Sequence, residues 1–150
     1  MNGAMIRSIS RNDDYPSIEV QMTVPFHDLD PMRVVWHGNY LKYFDVARSA
    51  LFESLGVDLY GVRGDSQFMY PVIRTSIKYV HPLRHGDVFI CRATVVEARF
   101  KVVLDFEIRL AETGRICTRG RGEQVAVKLP DMELMMSIPK DIRRALGLGR

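Results

Sequence analysis

Two aspartates and two histidines lie within eleven residues of one short segment, between His27 and His37. This segment comes directly before a stretch with the apolar periodicity of a helix. The first turn of a helix has free N–H groups and the positive end of the helix dipole, and both favour negative charge nearby. Hydrolysis of a thioester needs a base or nucleophile at the carbonyl carbon and donors at the developing oxyanion. A loop carboxylate beside a helix N-terminus can supply both, so the segment is a candidate for acyl transfer.

Of the two carboxylates, Asp30 is the better candidate for catalysis. Pro31 fixes the backbone that follows it, whereas we expect Asp28 to hydrogen-bond the turn, as Asp commonly does in loops. Residues 28–31 could equally form a plain Asx turn with no catalytic role. A histidine in the position of His37 can be a catalyst, a helix cap or a packed ring, and these alternatives stay open.

A metal site is a further interpretation of the same segment. His27, Asp28, Asp30 and His37 are all acceptable ligands for zinc or iron. Their spacing matches none of the common metal motifs, so we expect neither a metal nor another cofactor. The second segment that mixes His with Asp, residues 81–87, contains a proline and a glycine between two strand patterns, which predicts a tight turn.

The elements before and after the segment follow from hydrophobic periodicity. Residues 18–24 alternate between apolar and polar side chains, which predicts a strand with one buried face. From Tyr40 to Leu55 an apolar stripe recurs at steps of three and four residues. This stripe predicts one long helix, which Asn39 caps and Gly56 ends.

Strand patterns fill most of the chain after the helix. The predicted strands span 73–79, 88–96, 102–110 and 115–129. Gly120 and Gly122 suggest a bend or bulge in the last of them. A single helix beside a sheet of this size must lie across one face to bury its stripe. The predicted fold class is therefore α+β, with a long central helix wrapped by a five-stranded antiparallel sheet.

Composition and charge restrict the chain further. With 47% apolar residues, residues 1–150 fit one domain, with a loose N-terminal segment over 1–16 and a short C-terminal helix over 139–146. A net charge of +3 permits anionic partners but does not indicate nucleic acid. Cys91 and Cys117 form no metal or redox pair, so we expect reduced thiols. We expect a cytoplasmic protein without membrane contact, because no apolar run reaches the roughly 20 residues that span a bilayer and no secretory segment is present.

Several segments match one known enzyme family in residue type and spacing. They are Asp28-Leu29-Asp30-Pro31, Val34 to Leu41, Tyr43 to Arg48, and the strand-turn-strand residues Tyr79, Pro82, Gly86 and Asp87. In these residues the chain resembles the hotdog-fold acyl-CoA thioesterases typified by 4-hydroxybenzoyl-CoA thioesterase and the Tol–Pal-associated acyl-CoA thioesterase. The resemblance implies that Asp30 attacks the thioester carbonyl or activates water. It also implies that the backbone amide of His37 polarises the carbonyl oxygen, with the imidazole assisting in some members.

The resemblance also implies where substrate binds. The carbonyl oxygen would lie at the start of the helix, which is formed by His37, Gly38 and Asn39. Family members act on acyl-CoA or acyl-carrier protein, and they are dimers or tetramers with active sites between subunits. The chain departs from the family at Met32 and Arg33, where two small residues, often Ala-Gly, are usual, so the resemblance does not indicate which acyl group it takes.

Candidate substrate contacts lie both in the loop and on the sheet. Met32, Arg33 and Trp36 are expected to border the acyl pocket. The phosphates or acidic groups of the carrier need basic residues, and either of two groups could supply them. These groups are the pair Arg99 and Lys101 and the trio Arg115, Arg119 and Arg121. Each of these side chains could also be part of a solvated strand face.

Two other functions are compatible with the sequence. A hotdog hydroxyacyl-thioester dehydratase would pair a loop histidine with a helix carboxylate, here His37 with Asp45 or Glu53. A non-catalytic module could instead bind acyl-CoA, or nucleic acid through the three arginines. The last predicted strand lacks the aromatic residues that stack on single-stranded bases, which disfavours nucleic acid.

Overall fold

The computed structural model describes residues 3–10, 16–59 and 67–147. In chain order, its elements are β1 (Met5–Ser10), β2 (Ser17–Thr23), α1 (Asn39–Ser54), β3 (Phe68–Met69), β4 (Val72–Tyr79), β5 (Val88–Glu97), β6 (Val102–Leu110), β7 (Ile116–Gln124), β8 (Val127–Lys128), β9 (Glu133–Leu134) and α2 (Lys140–Ala145). A single 3-10 turn, Phe26–Asp28, follows β2. No helix within these residues is both long and apolar enough to cross a membrane.

A six-stranded antiparallel sheet packs one face against α1. Its strand order is β1-β2-β5-β6-β7-β4, so β1 and β4 are the edge strands. The strands β3, β8 and β9 form a separate small sheet. The predicted α+β class, with one long helix against an antiparallel sheet, is confirmed. The helix begins at Asn39 as predicted. It ends shortly before Gly56, whose φ of 71° is readily adopted only by glycine.

The sixth strand comes from the segment expected to be loose. The expectation of a loose segment over 1–16 is wrong for Met5–Ser10, which pairs with β2 along its length. All six side chains of β1 are exposed, so the strand carries no pattern of burial and is held by backbone hydrogen bonds. Residues 1–2 and 11–15 of that expectation lie outside the described residues.

The last predicted strand, 115–129, is two strands in different sheets. β7 ends at Gln124, and Val127–Lys128 pairs instead with β3 and β9. The glycines of β7 do not mark a break, since Gly120 and Gly122 both pair with β6 and with β4. The short helix α2 lies within the predicted 139–146.

The two glycines of β7 allow α1 to approach the sheet closely. A Cβ atom on Gly120 would lie 2.5 Å from the ring of Phe44, and one on Gly122 would lie 2.7 Å from the guanidinium of Arg48. Phe44 is itself fixed, because its ring stacks on Phe106 with centroids 4.4 Å apart. Small residues at these positions therefore set the distance between helix and sheet.

The two cysteines lie inside this core. Cys91 and Cys117 are free thiols with no exposed surface. Burial raises the pKa of both thiols above the usual value, because a thiolate in an apolar environment is poorly solvated. Both residues are packing elements of the sheet.

We expect Gly120→Ala to lower the free energy of unfolding by about 1–3 kcal/mol, since the added methyl group overlaps a ring that cannot move aside. Urea unfolding would measure this loss. The control is Arg119→Ala on the outer face of the same strand, which should cost no more than about 1 kcal/mol. Equal losses in the two variants would show that the close approach at Gly120 is not a constraint.

Candidate active site

The loop between β2 and α1 is organised as a small hairpin. Leu29 and Val35 form an antiparallel bridge, and the amide of Asp30 donates to the carbonyl of Val34 at 2.9 Å. The amide of Val35 donates to the carbonyl of Leu83 at 2.8 Å, which ties the hairpin to the turn before β5. The segment that carries the candidate catalyst is thus held on both sides by backbone hydrogen bonds.

Asp30 lies next to the tip of this hairpin and lines a pocket of about 230 Å³. Its Oδ1 atom accepts from the amide of Met32 at 2.8 Å. Among the described residues, no other donor forms a hydrogen bond with this carboxylate. Its Oδ2 atom is therefore available to a bound molecule. The pocket lining is mainly apolar and comes from the loop, the start of α1 and the segment after β4. Besides Asp30, it consists of Met32, Val34, Val35, His37, Tyr40, Tyr79, Val80, His81 and Pro82.

The Asx turn in the loop is formed by the other aspartate than the one expected. Asp30 forms the Asx turn, whereas Asp28 was expected to do so. The reason is the amide two residues further on, which an Asx turn requires. The amide of Asp30 is already used by Val34, so Asp28 has no such donor, while the amide of Met32 is available to Asp30.

Asp28 is instead buried, at 2% exposure, and bound to the helix. Its carboxylate accepts from Lys42 Nζ at 2.5 Å and from Tyr43 Oη at 2.6 Å. Burial alone would raise the pKa of this carboxyl, but the hydrogen bonds from Lys42 and Tyr43 outweigh burial and hold the pKa below its usual value. Burial and the Asp28 carboxylate together raise the pKa of the Tyr43 hydroxyl, so this group stays a donor.

His37 lines the same pocket as Asp30 and lies beside Tyr79. The Tyr79 hydroxyl donates to the carbonyl of His37 at 2.9 Å, and the two rings are 6.5 Å apart. In the part of the chain that the structure describes, the amides of His37 and Gly38 donate to no main-chain carbonyl. These donors are therefore available to an oxyanion at the start of α1.

Asn39 does not cap the helix, which corrects the prediction. The N-cap position is Gly38, without a side-chain hydrogen bond to the helix, and α1 begins at Asn39. The side chain of Asn39 donates to the carbonyl of Asp28 at 2.9 Å, so it binds the loop rather than the first turn. Gly38 is required here because the ring of Trp36 occupies the space that a Cβ atom would take.

The candidate substrate contacts fall into separate regions. Met32 lines the pocket and is 77% exposed, while Trp36 packs on Gly38 and does not border the pocket. Arg33 is exposed at the hairpin tip with φ of 63°, a conformation that glycine adopts more easily. Arg33 therefore adopts this conformation at some cost in free energy.

The basic candidates on the sheet lie away from this pocket in the same chain. Arg99 and Lys101 are in the hairpin after β5, about 30 Å along that strand from the end near the loop. Lys101 is also ion-paired with Glu123. Arg119 and Arg121 lie on the outer face of the sheet, where they pair with acidic residues of β6, namely Glu107 and Asp105. A contact between these residues and the substrate of the same chain's pocket is not supported, and their role stays a prediction.

Among the described residues, those that a dehydratase or a metal site would need are not brought together. Asp45 is bound to Arg48, and Glu53 lies about 21 Å along α1 from Asn39, so neither forms a pair with His37. Among the described residues, no group of three or more His, Cys, Asp or Glu side chains is placed to hold a metal ion.

Three residues of this site were missed by sequence reasoning. Tyr79 was named only in a strand pattern and in the family resemblance, and Lys42 was given no role because it lies off the apolar stripe of the helix. Tyr43 was noted only in the family resemblance. A usable signal existed, since a buried loop aspartate requires a cation or hydroxyl partner nearby.

Solved structures with the same chain path define the class of fold. The structure of 4-hydroxybenzoyl-CoA thioesterase complexed with 4-hydroxybenzoyl-CoA superposes with a TM-score of 0.77 at 20% identity, covering 87% of this chain and 99% of the other. The long helix against the antiparallel sheet is thus the hotdog fold.

Sequence similarity is more specific. The profile of the thioesterase-like superfamily matches residues 24–146. A provisionally named esterase of Synechocystis is 28% identical over 130 residues, which are 85% of this chain and 77% of that protein. The acyl-CoA thioesterase YbgC of Haemophilus influenzae is 25% identical over 122 residues, 81% of this chain and 88% of that protein. The chain belongs to the thioesterase-like superfamily and is a thioester hydrolase, as its loop and helix predicted.

The contribution of Asp28 to the free energy of unfolding depends on pH. A carboxyl whose pKa is lower in the folded than in the unfolded state stabilises the fold above about pH 4, and this stabilisation is lost as the pH falls through the folded value. Asp28→Asn should cost about 2 kcal/mol in urea unfolding at pH 7. The gap to the wild type should narrow as the pH falls from about 4 toward 3, because the unfolded chain then takes up the proton and the ionised, bound state contributes less to the free energy of unfolding.

The control for this prediction is Glu112→Gln, an exposed change in the hairpin between β6 and β7. Its free energy of unfolding should follow the wild type at both pH values. A gap for Asp28→Asn that is the same at pH 7 and at about pH 3 would contradict an ionised, bound Asp28.

Proposed function

We propose that this enzyme hydrolyses acyl-CoA thioesters, with Asp30 as the attacking group or general base and with the amides of His37 and Gly38 as oxyanion donors. The observation that carries the proposal is that Asp30 and His37 line one mainly apolar pocket at the start of α1. The available amides of His37 and Gly38 lie at the same junction of loop and helix.

Two routes lead from these groups to the same products. In one route the Asp30 carboxylate attacks the carbonyl carbon and thiolate leaves, and water then hydrolyses the mixed anhydride. In the other route Asp30 takes a proton from water, whose oxygen attacks the same carbon. Both routes place negative charge on the carbonyl oxygen, and each aimed amide donor can lower the barrier by about 3–4 kcal/mol. The products are a free acid and coenzyme A.

The lining of the pocket favours an apolar or aromatic acyl group. Tyr40 and Tyr79 have ring centroids 5.2 Å apart, and Val80 and Met32 add apolar surface. Among similar proteins, one acts on acyl-CoA and another binds 4-hydroxybenzoyl-CoA. Thiol release from aroyl-CoA, short-chain and long-chain acyl-CoA, and acyl-carrier protein would rank these classes of substrate.

We expect Asp30→Asn to lower kcat for thiol release by at least about a hundred-fold, because the amide neither attacks nor accepts a proton. Steady-state thiol release with the best acyl-CoA of the panel would measure it. Glu112→Gln, with an exposed side chain in the hairpin between β6 and β7, is the control and should turn over as the wild type does. Turnover within a few-fold of wild type in Asp30→Asn would exclude Asp30 as the catalyst.

His37→Ala separates the imidazole from the main-chain amide. Since the amide survives this change, we expect a loss of less than about ten-fold if the amide is the oxyanion donor. A loss as large as that of Asp30→Asn would instead assign a proton-transfer role to the ring.

The active enzyme is proposed to be a homodimer, alone or as half of a homotetramer. Strand β4 is an edge strand with both faces largely exposed. It carries exposed apolar residues at Val72, Ile73 and Tyr79, and the exposed Val80 directly follows it. A second copy that pairs antiparallel with β4 would cover this edge around a two-fold axis. The Val72 end of the partner's strand would then lie beside Tyr79, at the pocket of Asp30. This geometry supports an active site between subunits.

We expect Ile73→Glu to shift the protein to a monomer in sedimentation velocity and to reduce turnover per chain, because a charge cannot be buried unpaired in the dimer. The matched control is Ile9→Glu, which makes the same change at another exposed isoleucine, on the opposite edge strand. A monomeric wild type, or a dimer that survives Ile73→Glu but not Ile9→Glu, would contradict the use of β4.

The enzyme is further proposed to work in the cytoplasm. Two free, buried thiols suit a reducing compartment, where disulfides are rare. Localisation of the tagged full-length chain would test this proposal.

A further inference from the structure

The loop is bound to the helix through a buried, ionised residue. Asp28 is 2% exposed, and both of its carboxylate oxygens are hydrogen-bonded to consecutive residues of α1, Lys42 and Tyr43. We call these three residues the tether. The Lys42 side chain is half-exposed, and its ammonium lies 5.6 Å from the centre of the Tyr43 ring.

The main-chain carbonyl of Asp28 also binds both the loop and the helix. Its carbonyl accepts from the amide of Trp36 and from the side chain of Asn39, both at 2.9 Å. Two residues further on, the amide of Asp30 is bound to Val34 across the hairpin. A shift of Asp28 relative to α1 would therefore change the position of the Asp30 carboxylate relative to the amides at the start of the helix.

Stability alone does not account for a charged residue in this position. Burying a carboxylate costs solvation free energy, and replacing a buried ion pair with well-packed apolar residues is often neutral or stabilising. Charge-assisted hydrogen bonds are short and directional, so their specific contribution is a fixed geometry. A tether of this kind suits a loop whose carboxylate must keep its distance from donors on another element.

We propose that Asp28, Lys42 and Tyr43 are positioning residues that hold Asp30 at the distance from the helix N-terminus that attack on the thioester requires. This inference rests on the proposed function, in which Asp30 is the attacking group or base. None of the three tether residues lines the pocket, so they act through Asp30 and the loop rather than on the substrate.

The experiment compares kcat and KM for thiol release in Asp28→Asn, Lys42→Met and Tyr43→Phe. We expect kcat to fall by about ten- to a hundred-fold in each, because a misplacement of about 1 Å can cost a hundred-fold in rate. KM should stay within about three-fold, since the pocket lining is unchanged. Lys42→Arg keeps the cation and should recover most of the turnover that Lys42→Met loses.

The control is Glu19→Gln, which removes a paired carboxylate from the sheet, away from the loop. Glu19 is ion-paired with Arg92 and Arg109 across β2, β5 and β6. This variant should lose stability in urea unfolding but keep its kcat, since it lies outside the loop. All rates are compared at a temperature where each variant is fully folded.

Tether variants whose kcat stays within about two-fold of Glu19→Gln would overturn the inference, as would Lys42→Arg being as slow as Lys42→Met. If Asp28→Asn does not fold, Lys42→Met and Tyr43→Phe decide, because each leaves the carboxylate with one of its two hydrogen bonds to α1. Asp30→Asn, measured alongside, separates the two hypotheses. Full turnover in Asp30→Asn removes the catalytic role of Asp30 on which this inference rests, whereas a loss confined to Asp30→Asn removes only the tether's positioning role.

Discussion

The contact between Phe44 and the backbone of Gly120 sets the geometry on which the other parts of the molecule depend. A ring fills the space of an absent side chain, and it stacks on Phe106 of the neighbouring strand. The helix is therefore held at a distance that ordinary side chains on β7 would not permit. At its N-terminal end, the same closeness brings Tyr40 against Tyr79, and Tyr79 against the carbonyl of His37. The pocket thus follows from the packing of the core.

The sequence was most informative where one face of an element is buried. The alternation in 102–110 and the stripe from Tyr40 to Leu55 reflect burial directly, so the helix and the central strands could be predicted. Strand β1 could not, because all its side chains are exposed and backbone pairing leaves no pattern in residue type. The break after Gln124 was also hidden, since residues on both sides have strand-like composition.

The candidate site, like the fold, could be predicted only in part. The class of reaction could be predicted, because two carboxylates and two histidines before a helix are unusual in a plain connection. Which aspartate forms the Asx turn could not be predicted, because this depends on which amide is free two residues later. The partners of Asp28 could not be predicted either, because they depend on which helix side chains reach the loop. Asn39 illustrates the same limit, since its side chain could satisfy either the helix or the loop carbonyl. Such choices are made by tertiary contacts that no local pattern records.

The enclosed cysteines have a practical consequence for studying this enzyme. Cys91 and Cys117 present no surface and have raised pKa values, so disulfide reagents that detect released coenzyme A will find few reactive thiolates on the folded chain. The background of such an assay then comes from unfolded molecules alone. One reagent can therefore report turnover in the presence of substrate and the unfolded fraction in its absence.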